Sequence, residues 1–253
     1  MSKTGIEWTE YTWNPVTGCT EVSDGCRFCY AKIMARRLKA MGLHKYRNEF
    51  EVTQHPGAIK EPYKWKSGKV FVVSMGDLFH QNVTSYFIRK VFDVMNDNPQ
   101  LTFQVLTKRP ERALNMDMQE LIEFTPNIWM GTSAEDKKTF DERISFLIKI
   151  RSTIRYVSCE PLLGPIEFSD VTRRSDAVSQ LGKKALSGIH WIIVGGESGR
   201  RPRPMEPAWV RSIRDQCQAA DVAFFFKQWG GTNKKLAGSL LDGKEYKEYP
   251  IIK

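Results

Sequence analysis

The stretch HWIIVGGESG, residues 190–199, decides the fold class of this 253-residue chain. Its apolar residues Trp191–Val194 follow one another without a break and end at two glycines and a glutamate. A strand with one face in water alternates apolar and polar side chains, so an unbroken apolar run favours a strand buried on both faces of a parallel sheet. The polar turn that follows lies where parallel α/β folds place their sites.

Five more apolar, β-branched or aromatic runs occur along the chain, at residues 70–74, 102–107, 127–131, 154–158 and 223–226. Helical patterns lie between them. One covers residues 84–95 with Thr84 or Ser85 as a cap, one covers 140–148, and one begins at Pro207. Strands that alternate with helices predict repeated βαβ units, and each strand is followed by charged or glycine-rich residues.

Three of the five cysteines lie within eleven residues, as Cys19, Cys26 and Cys29, with the spacing C-x6-C-x2-C. Three thiolates without an obvious fourth partner predict a metal site with an open position, where chemistry can occur. The odd, clustered cysteine count also favours a reducing compartment over a disulfide framework. A zinc knuckle completed by His44 or His55 is the alternative.

An amphipathic helix is predicted directly after the cysteines, with Gly42 ending it. The expected apolar face of this helix consists of Tyr30, Ile33, Met34, Leu38 and Met41.

The net charge of +9 is unevenly distributed, since residues 32–69 contain ten Lys or Arg against three Glu. A basic segment near a metal site favours a phosphate-bearing substrate such as a nucleic acid, and a solvated basic face without a ligand is the alternative. The sequence contains no apolar N-terminal stretch and no run of eighteen apolar residues. We therefore expect no signal peptide, no membrane span and a cytoplasmic location.

Six blocks of the sequence resemble the radical S-adenosylmethionine enzymes, and more closely a phage- and prophage-associated family of such proteins with a three-cysteine N-terminal motif. The blocks are TWNPVTGC (12–19), GCRFCYA (25–31), LTKRP (106–110), EPLLGP (160–165), VGGESG (194–199) and FKQWGG (226–231). They span about residues 7 to 231. The first gap between the cysteines holds six residues, whereas the commonest spacing of the superfamily has three.

The resemblance implies a single domain over residues 1–231 that forms a partial (β/α)6 TIM-like barrel of parallel strands. The cysteine loop would cover 13–30, an inserted polar loop about 169–187, and a C-terminal tail 232–253. The resemblance also implies a [4Fe–4S] cluster on Cys19, Cys26 and Cys29, with one iron left for S-adenosylmethionine. An external electron donor would reduce the cluster, and cleavage of the cofactor would give a 5′-deoxyadenosyl radical that abstracts a substrate hydrogen.

The basic segment, the arginines and Trp229 favour a nucleotide or a DNA base as the substrate. The phage association points to DNA hypermodification in the host cytoplasm, for example an isomerase or mutase that rearranges an amino-acid-modified thymine. Two alternatives stay open: a radical enzyme that acts on a peptide or small molecule, and a zinc-containing nucleic-acid-binding protein.

The candidate cofactor contacts are Phe28, Gly76, Asp77, Thr107, Ser133, Glu135, Glu160, Gly195, Gly196 and Glu197. The resemblance implies that Phe28 stacks on the adenine of the cofactor. It also implies that Gly76 and Asp77 bind the methionyl ammonium group. Helix capping is the alternative role for Asp77, Ser133 and Glu135, and a tight turn is the alternative for the glycines.

The candidate substrate contacts are Lys108, Arg109, Ser198, Arg203, Lys227, Gln228 and Trp229. Arginine can clamp a phosphate or carboxylate, and Trp229 can stack on a base or close the barrel mouth. Cys159 is a candidate hydrogen donor to a substrate radical, with a buried inert thiol as the alternative, and Cys217 is expected in the core.

Overall fold

The computed structural model describes residues 4–168 and 186–251. The helices and strands in these ranges are β1 Tyr11–Trp13, β2 Val16–Thr17, α1 Tyr30–Ala40, β3 Thr53–Gln54, β4 Gly68–Val72, α2 Ser85–Asn96, β5 Leu101–Thr107, α3 Pro110–Met118, β6 Ile128–Ser133, α4 Lys137–Leu147, β7 Arg155–Cys159, β8 Trp191–Gly195, α5 Pro207–Ala219, β9 Ala223–Gln228 and α6 Lys234–Ala237. The predicted inserted loop at about 169–187 lies, except for its last two residues, outside the described residues.

The main sheet has seven strands in the order β1-β4-β5-β6-β7-β8-β9, and β2 pairs with β3 in a small antiparallel sheet. The pairs β1–β4, β4–β5, β7–β8 and β8–β9 are parallel. From β4 to β9 the order in the sheet is the order along the chain. This is the strand order of a (β/α) barrel, whereas a doubly wound sheet reverses its order at a switch point. The predicted α/β class and partial (β/α)-barrel fold are confirmed.

All six predicted strands are present, because each is a buried apolar run. Strands β6 and β8 are buried at every position, which explains why no alternation is visible in their sequences. Strand β1 was not predicted. It is three residues long and pairs in parallel with β4, from Tyr11 opposite Val70 to Trp13 opposite Val72.

The helices match the predictions in position but not always in the face they bury. Helix α2 begins after Thr84, whose side chain accepts a hydrogen bond from the amide of Phe87. The prediction for α1 is wrong in its buried face. Ala31 and Ala35 are buried, whereas most of the predicted apolar face is exposed, namely Tyr30, Ile33, Met34 and Met41. Small alanines let the helix approach its neighbours closely and leave the larger side chains outside.

Two compact units divide the chain. The first consists of residues 1–22, 29–131 and 150–153, and the second consists of 23–28, 132–149 and 154–253. In the first unit, aromatic rings fill the core, with Trp13 against Phe103 and Phe79 against Phe92. Each of these rings is fully buried, so they form the packed core against which β1, β4 and β5 lie.

The second unit has an aromatic core around Trp191, whose ring contacts Tyr156, Phe225 and Tyr249. The C-terminal segment lies along β9: the amide of Phe226 donates to the carbonyl of Tyr246 at 2.8 Å, and the indole of Trp191 donates to the carbonyl of Glu248 at 2.8 Å. This segment therefore protects an outer strand of the sheet. The boundary at residue 231 stays a prediction.

Among the described residues, no helix combines the length and the apolar character that crossing a bilayer requires.

Candidate functional site

Cys19 is fixed to the first unit by its backbone. The amide of Gly18 donates to the carbonyl of Met75 at 2.9 Å, and the amide of Cys19 donates to the carbonyl of Phe50 at 3.2 Å. Gly18 has φ +86°, and a Cβ atom there would lie 2.2 Å from the carbonyl oxygen of Glu51. Only glycine fits this close approach, so the residue before Cys19 is determined by sterics.

Cys29 directly precedes α1 in the same unit. Its side chain packs against the buried cluster that contains Ala31, Ala35 and Met75, and Phe50 packs there too. The backbone at Gly18 and Cys19 is therefore bonded to Met75 and Phe50, and the side chain of Cys29 packs against the cluster that contains Met75. Both thiols are half-buried.

The turn after β4 bends sharply at Val73, which has φ +61°. This left-handed conformation is rare for a β-branched residue and costs on the order of 1–3 kcal/mol. It is stabilised by the hydrogen bond from the Val73 amide to the carbonyl of Trp13 at 2.7 Å, and Asn14 accepts from the amide of Met75 at 2.9 Å. The bend brings Gly76 beside Gly18, in an isolated parallel bridge. Sequence analysis did not single out Asn14 or Val73.

Asp77 and Arg109 form a mostly buried ion pair, with Nη1 of Arg109 2.8 Å from Oδ2 of Asp77. Oδ1 of Asp77 accepts from the hydroxyl of Thr107 at 2.7 Å and from the amide of Phe79 at 2.9 Å. The amide of Lys108 donates to Oδ2 at 3.3 Å. The predicted residues Asp77, Thr107, Lys108 and Arg109 are thus brought together. Asp77 caps none of the described helices, so its alternative role is wrong.

The guanidinium of Arg109 reaches the cysteine loop. Its Nη1 atom is 3.4 Å from Sγ of Cys19, and its Nη2 atom donates to the carbonyl oxygen of Thr20 at 3.1 Å and to the hydroxyl of Thr20 at 3.0 Å. The ring of His80, which is fully buried, lies 2.9 Å from that hydroxyl. Burial and the charge of Arg109 lower the pKa of His80, so the ring is neutral at physiological pH. Thr20 and His80 were not predicted.

Glu135 holds the turn of Cys26 in the second unit. Its Oε1 atom accepts from the amide of Gly25 at 3.3 Å, and its Oε2 atom is 2.9 Å from Nη1 of Arg143. Arg143 also donates to the carbonyl of Ser133 at 2.8 Å. Glu135 is only 1% exposed, so its buried negative charge is stabilised by these partners.

The capping role considered for Ser133 and Glu135 is wrong. Asp136 caps α4: its carboxylate accepts from the amide of Thr139 at 2.8 Å, and the hydroxyl of Thr139 accepts from the amide of Asp136 in return. Aspartate with threonine three residues later is a variant of the capping box, which the sequence displays.

Glu197 binds Arg203 through two oxygens, at 2.5 Å and 3.0 Å. Burial alone would raise the pKa of Glu197, but the hydrogen bonds and charge of Arg203 outweigh it and lower the pKa. The Arg203 guanidinium carbon lies 5.3 Å from the ring centroid of Phe28, and that of Arg27 lies 5.4 Å away. These are cation–π distances. Stacking of Phe28 on an adenine stays a prediction.

The ends of β7, β8 and β9 are linked by side chains and by close backbone contacts. Nζ of Lys227 lies 2.5 Å from Oε1 of Glu160. Nε2 of Gln228 donates to the hydroxyl of Ser198 at 3.0 Å. A Cβ atom at Gly196 would lie 2.0 Å from the carbonyl oxygen of Trp229, so glycine is required there.

The indole of Trp229 contacts other residues of the second unit. Its Nε1 atom donates to the carbonyl of Leu240 at 2.9 Å, and its ring packs edge-on against Phe226 with centroids 4.8 Å apart. A role for this ring in stacking on a base stays a prediction. Gly195 lies beside Glu160, where an added Cβ atom would be 3.2 Å from Cδ.

Cys159 and Cys217 are fully buried. Burial, together with the charge of Glu135, raises the pKa of Cys159, and burial raises that of Cys217. Both thiols are therefore protonated at physiological pH. The core position expected for Cys217 is confirmed, and hydrogen donation by Cys159 stays a prediction.

The donor set in the cysteine loop is three thiols, which is a ligand type that iron–sulfur clusters use. None of the five cysteines, all within the described ranges, is in a disulfide. The described residues contain no group of three or more His, Cys, Asp or Glu placed to hold one ion, and a zinc site completed by His44 or His55 stays a prediction. The ring of His55 is instead 2.8 Å from the hydroxyl of Thr17. A cluster binds each thiolate to a separate iron, so its ligands need not converge on one point.

The model of a family described as "Protein of unknown function (DUF5131)" matches residues 3–250. The chain belongs to this family. No curated protein matches the sequence.

Solved structures share the fold of the chain. One is spore photoproduct lyase complexed with dinucleoside spore photoproduct, with a TM-score of 0.50 and 10% identity, and another is a point mutant of that enzyme, with a TM-score of 0.51 and 10% identity. Each match covers 88% of this chain and 65% of the other, so the chain spans about two thirds of the length of these neighbours. Spore photoproduct lyase is a radical S-adenosylmethionine enzyme. At this identity the likeness shows the fold.

Proposed function

We propose that this protein is a radical S-adenosylmethionine enzyme that acts on a nucleotide or DNA base. The observation that carries the proposal is the set of three cysteines, none in a disulfide, that lies between β1 and β4 of a parallel (β/α) sheet of the kind found in a radical S-adenosylmethionine enzyme. In this proposal Cys19, Cys26 and Cys29 hold a [4Fe–4S] cluster. With S-adenosylmethionine and one electron from an external donor, the bound cluster would supply a 5′-deoxyadenosyl radical.

The two units supply separate supports for the cysteine loop. Asp77 is saturated with donors from the first unit, and Glu135 binds Gly25 and Arg143 in the second. We therefore assign both carboxylates to holding the loop and not to direct binding of the methionyl ammonium group.

The remaining strand-end groups suit the cofactor and the substrate. Phe28 offers an aromatic face for an adenine, and the guanidinium of Arg203 beside this ring is held by Glu197. Glu160 with Lys227, and Ser198 with Gln228, supply hydrogen-bonding groups at the ends of β7 to β9. Parallel strands present such groups at one edge of a sheet.

Two observations support a nucleic-acid substrate. The net charge is +9, which favours phosphate-bearing partners, and the structural neighbour was captured with a dinucleoside photoproduct. The finer proposal is a rearrangement of an amino-acid-modified thymine in phage DNA hypermodification.

Release of 5′-deoxyadenosine tests the substrate class. The reduced, cluster-loaded protein should release it faster with DNA that carries the modified thymine than with unmodified DNA or with a peptide. Stimulation by the peptide alone would contradict the nucleic-acid proposal. Binding to DNA should weaken steeply between about 50 and 200 mM salt, because phosphate contacts release counterions.

The cysteine assignment has a matched control within the chain. Cys26→Ala should lose the cluster and the release of 5′-deoxyadenosine, whereas Cys217→Ala should keep both, since Cys217 is buried on α5. Equal iron contents in the two variants would contradict the assignment of Cys26 as a ligand.

A further inference from the structure

Arg109 is the one predicted substrate contact that the structure describes at hydrogen-bonding distance from a cysteine sulfur. Its Nη1 atom lies 3.4 Å from Sγ of Cys19, which is within the range for a hydrogen bond to sulfur. The same nitrogen is 2.8 Å from Oδ2 of Asp77. The contact spans ninety residues of sequence, and all three residues belong to the first unit.

Both terminal nitrogens of Arg109 are used inside the protein. Nη1 bonds Asp77 and Cys19, and Nη2 bonds the carbonyl and the hydroxyl of Thr20. The side chain is 16% exposed. A guanidinium that clamps a substrate phosphate would instead direct its paired N–H donors at the ligand. The geometry directs them at the cysteine loop.

The support around Arg109 fixes the direction of its donors. Asp77 is itself held by Thr107 and by the amide of Phe79, and the hydroxyl of Thr20 also contacts the buried ring of His80. Partners outside the ligand set orient ligands and tune a metal centre. Here they fix a cation next to one sulfur.

We propose that Arg109 is a positioning residue that donates a hydrogen bond to the sulfur of Cys19 and raises the reduction potential of the cluster. The inference rests on the proposed function. Reduction adds one negative charge to the cluster and its ligands, so a cationic donor on a ligand sulfur stabilises the reduced form more than the oxidised form. Hydrogen bonds to cluster sulfurs are a known determinant of these potentials.

The test compares midpoint potentials of the reconstituted cluster in the full-length protein, measured by electron paramagnetic resonance during titration with dithionite and without S-adenosylmethionine. Arg109→Met should lower the reduction equilibrium constant about tenfold, which is about 59 mV for a one-electron couple. Arg109→Lys keeps the charge and should recover part of this loss. Arg112→Met is the matched control, because Arg112 donates to the carbonyl oxygens of His80 and Val83 and not to sulfur.

The outcomes separate the inference from the proposed function. Equal potentials in wild type and Arg109→Met overturn the inference, and so does an equal shift in Arg112→Met. If Arg109→Met does not retain the cluster, Arg109→Gln takes its place. This variant keeps a neutral N–H donor but removes the positive charge, so a wild-type potential in it overturns the inference. A wild-type protein that binds no iron overturns the proposed function, whereas an iron-bearing protein with unchanged potentials overturns the inference alone.

Discussion

Each unit contacts the cysteine loop through one member of a buried ion pair. The member that contacts the loop is the cation in the first unit and the carboxylate in the second. In the first unit, Asp77 orients Arg109, and the guanidinium contacts the loop at Cys19 and Thr20. In the second unit, Arg143 orients Glu135, and the carboxylate contacts the loop at the amide of Gly25. Each unit therefore contacts the loop through a buried ion pair, and in the first unit the positively charged member is directed at a cysteine.

This difference separates two functions that a charged pair can have. A cation on a sulfur changes the electronic environment of a ligand, so its removal should alter a potential. A carboxylate on a backbone amide fixes the position of a turn, so its removal should alter stability and cluster retention.

The largest effect is expected in the second unit, for Glu135→Ala. The substitution leaves Arg143, which is 8% exposed, without its carboxylate, and an unpaired buried charge costs about 3–5 kcal/mol. The midpoint of urea unfolding should fall accordingly. The double variant Glu135→Met with Arg143→Met should recover much of the loss, because an apolar pair replaces a buried ion pair at little cost. A single variant as stable as wild type would contradict the account.

Glycine substitutions compare the close approaches in the two units. Gly18→Ala would place a Cβ atom 2.2 Å from the Glu51 carbonyl at φ +86°, and Gly196→Ala would place one 2.0 Å from the Trp229 carbonyl. Both should lose about 1–3 kcal/mol of stability, as overpacked sites do. Gly18→Ala should also reduce iron content, because it displaces Cys19. Gly57→Ala is the control, since nothing lies within 4 Å of its Cβ position. Equal stabilities in all three variants would contradict these contacts.

The first unit should lose stability in mild acid through His55. Burial, with the nearby charges of Lys45 and Arg47, lowers the pKa of this ring from 6.5 to about 4. The unfolded chain binds the proton at a higher pH than the folded chain, so stability is complete above pH 6.5 and falls as the pH drops towards about 4. His55→Gln should show a smaller loss in that window. Unfolding curves from pH 7 to 4 measure it, and identical slopes would exclude His55 as the cause.

The second unit should respond at lower pH and more weakly, through Glu197. Arg203 lowers the pKa of this carboxyl below its ordinary value of 4.5, so its stabilising effect is complete above that pH and disappears as the pH falls through the lowered pKa. The stability gap between wild type and Glu197→Gln should therefore narrow below about pH 4.5. A gap that is constant from pH 6 to 3 would show that the ion pair with Arg203 does not stabilise the fold.

Much of the fold could be predicted because its strands are buried on both faces. The run Trp191–Val194 can be predicted as a strand because all of its side chains are apolar, and β8 occupies Trp191–Gly195. Strand β1 is too short to produce such a run. The buried face of α1 was missed because Ala31 and Ala35 carry little hydrophobic weight, although their small size is what permits close packing.

The site could be predicted in outline, since parallel strands place their carboxyl ends together, and Asp77 does meet Thr107 and Arg109. The roles within it could not be predicted. The contact of Arg109 with Cys19 and that of Glu135 with Gly25 join residues about a hundred positions apart. Only the folded chain shows which donors are already used.

The most direct test of the central claim is the iron and sulfide content of the anaerobically purified protein, with electron paramagnetic resonance of the reduced sample before and after addition of S-adenosylmethionine. The account predicts about four irons per chain and a spectrum that changes when S-adenosylmethionine binds the cluster. One zinc and no iron would contradict the radical mechanism.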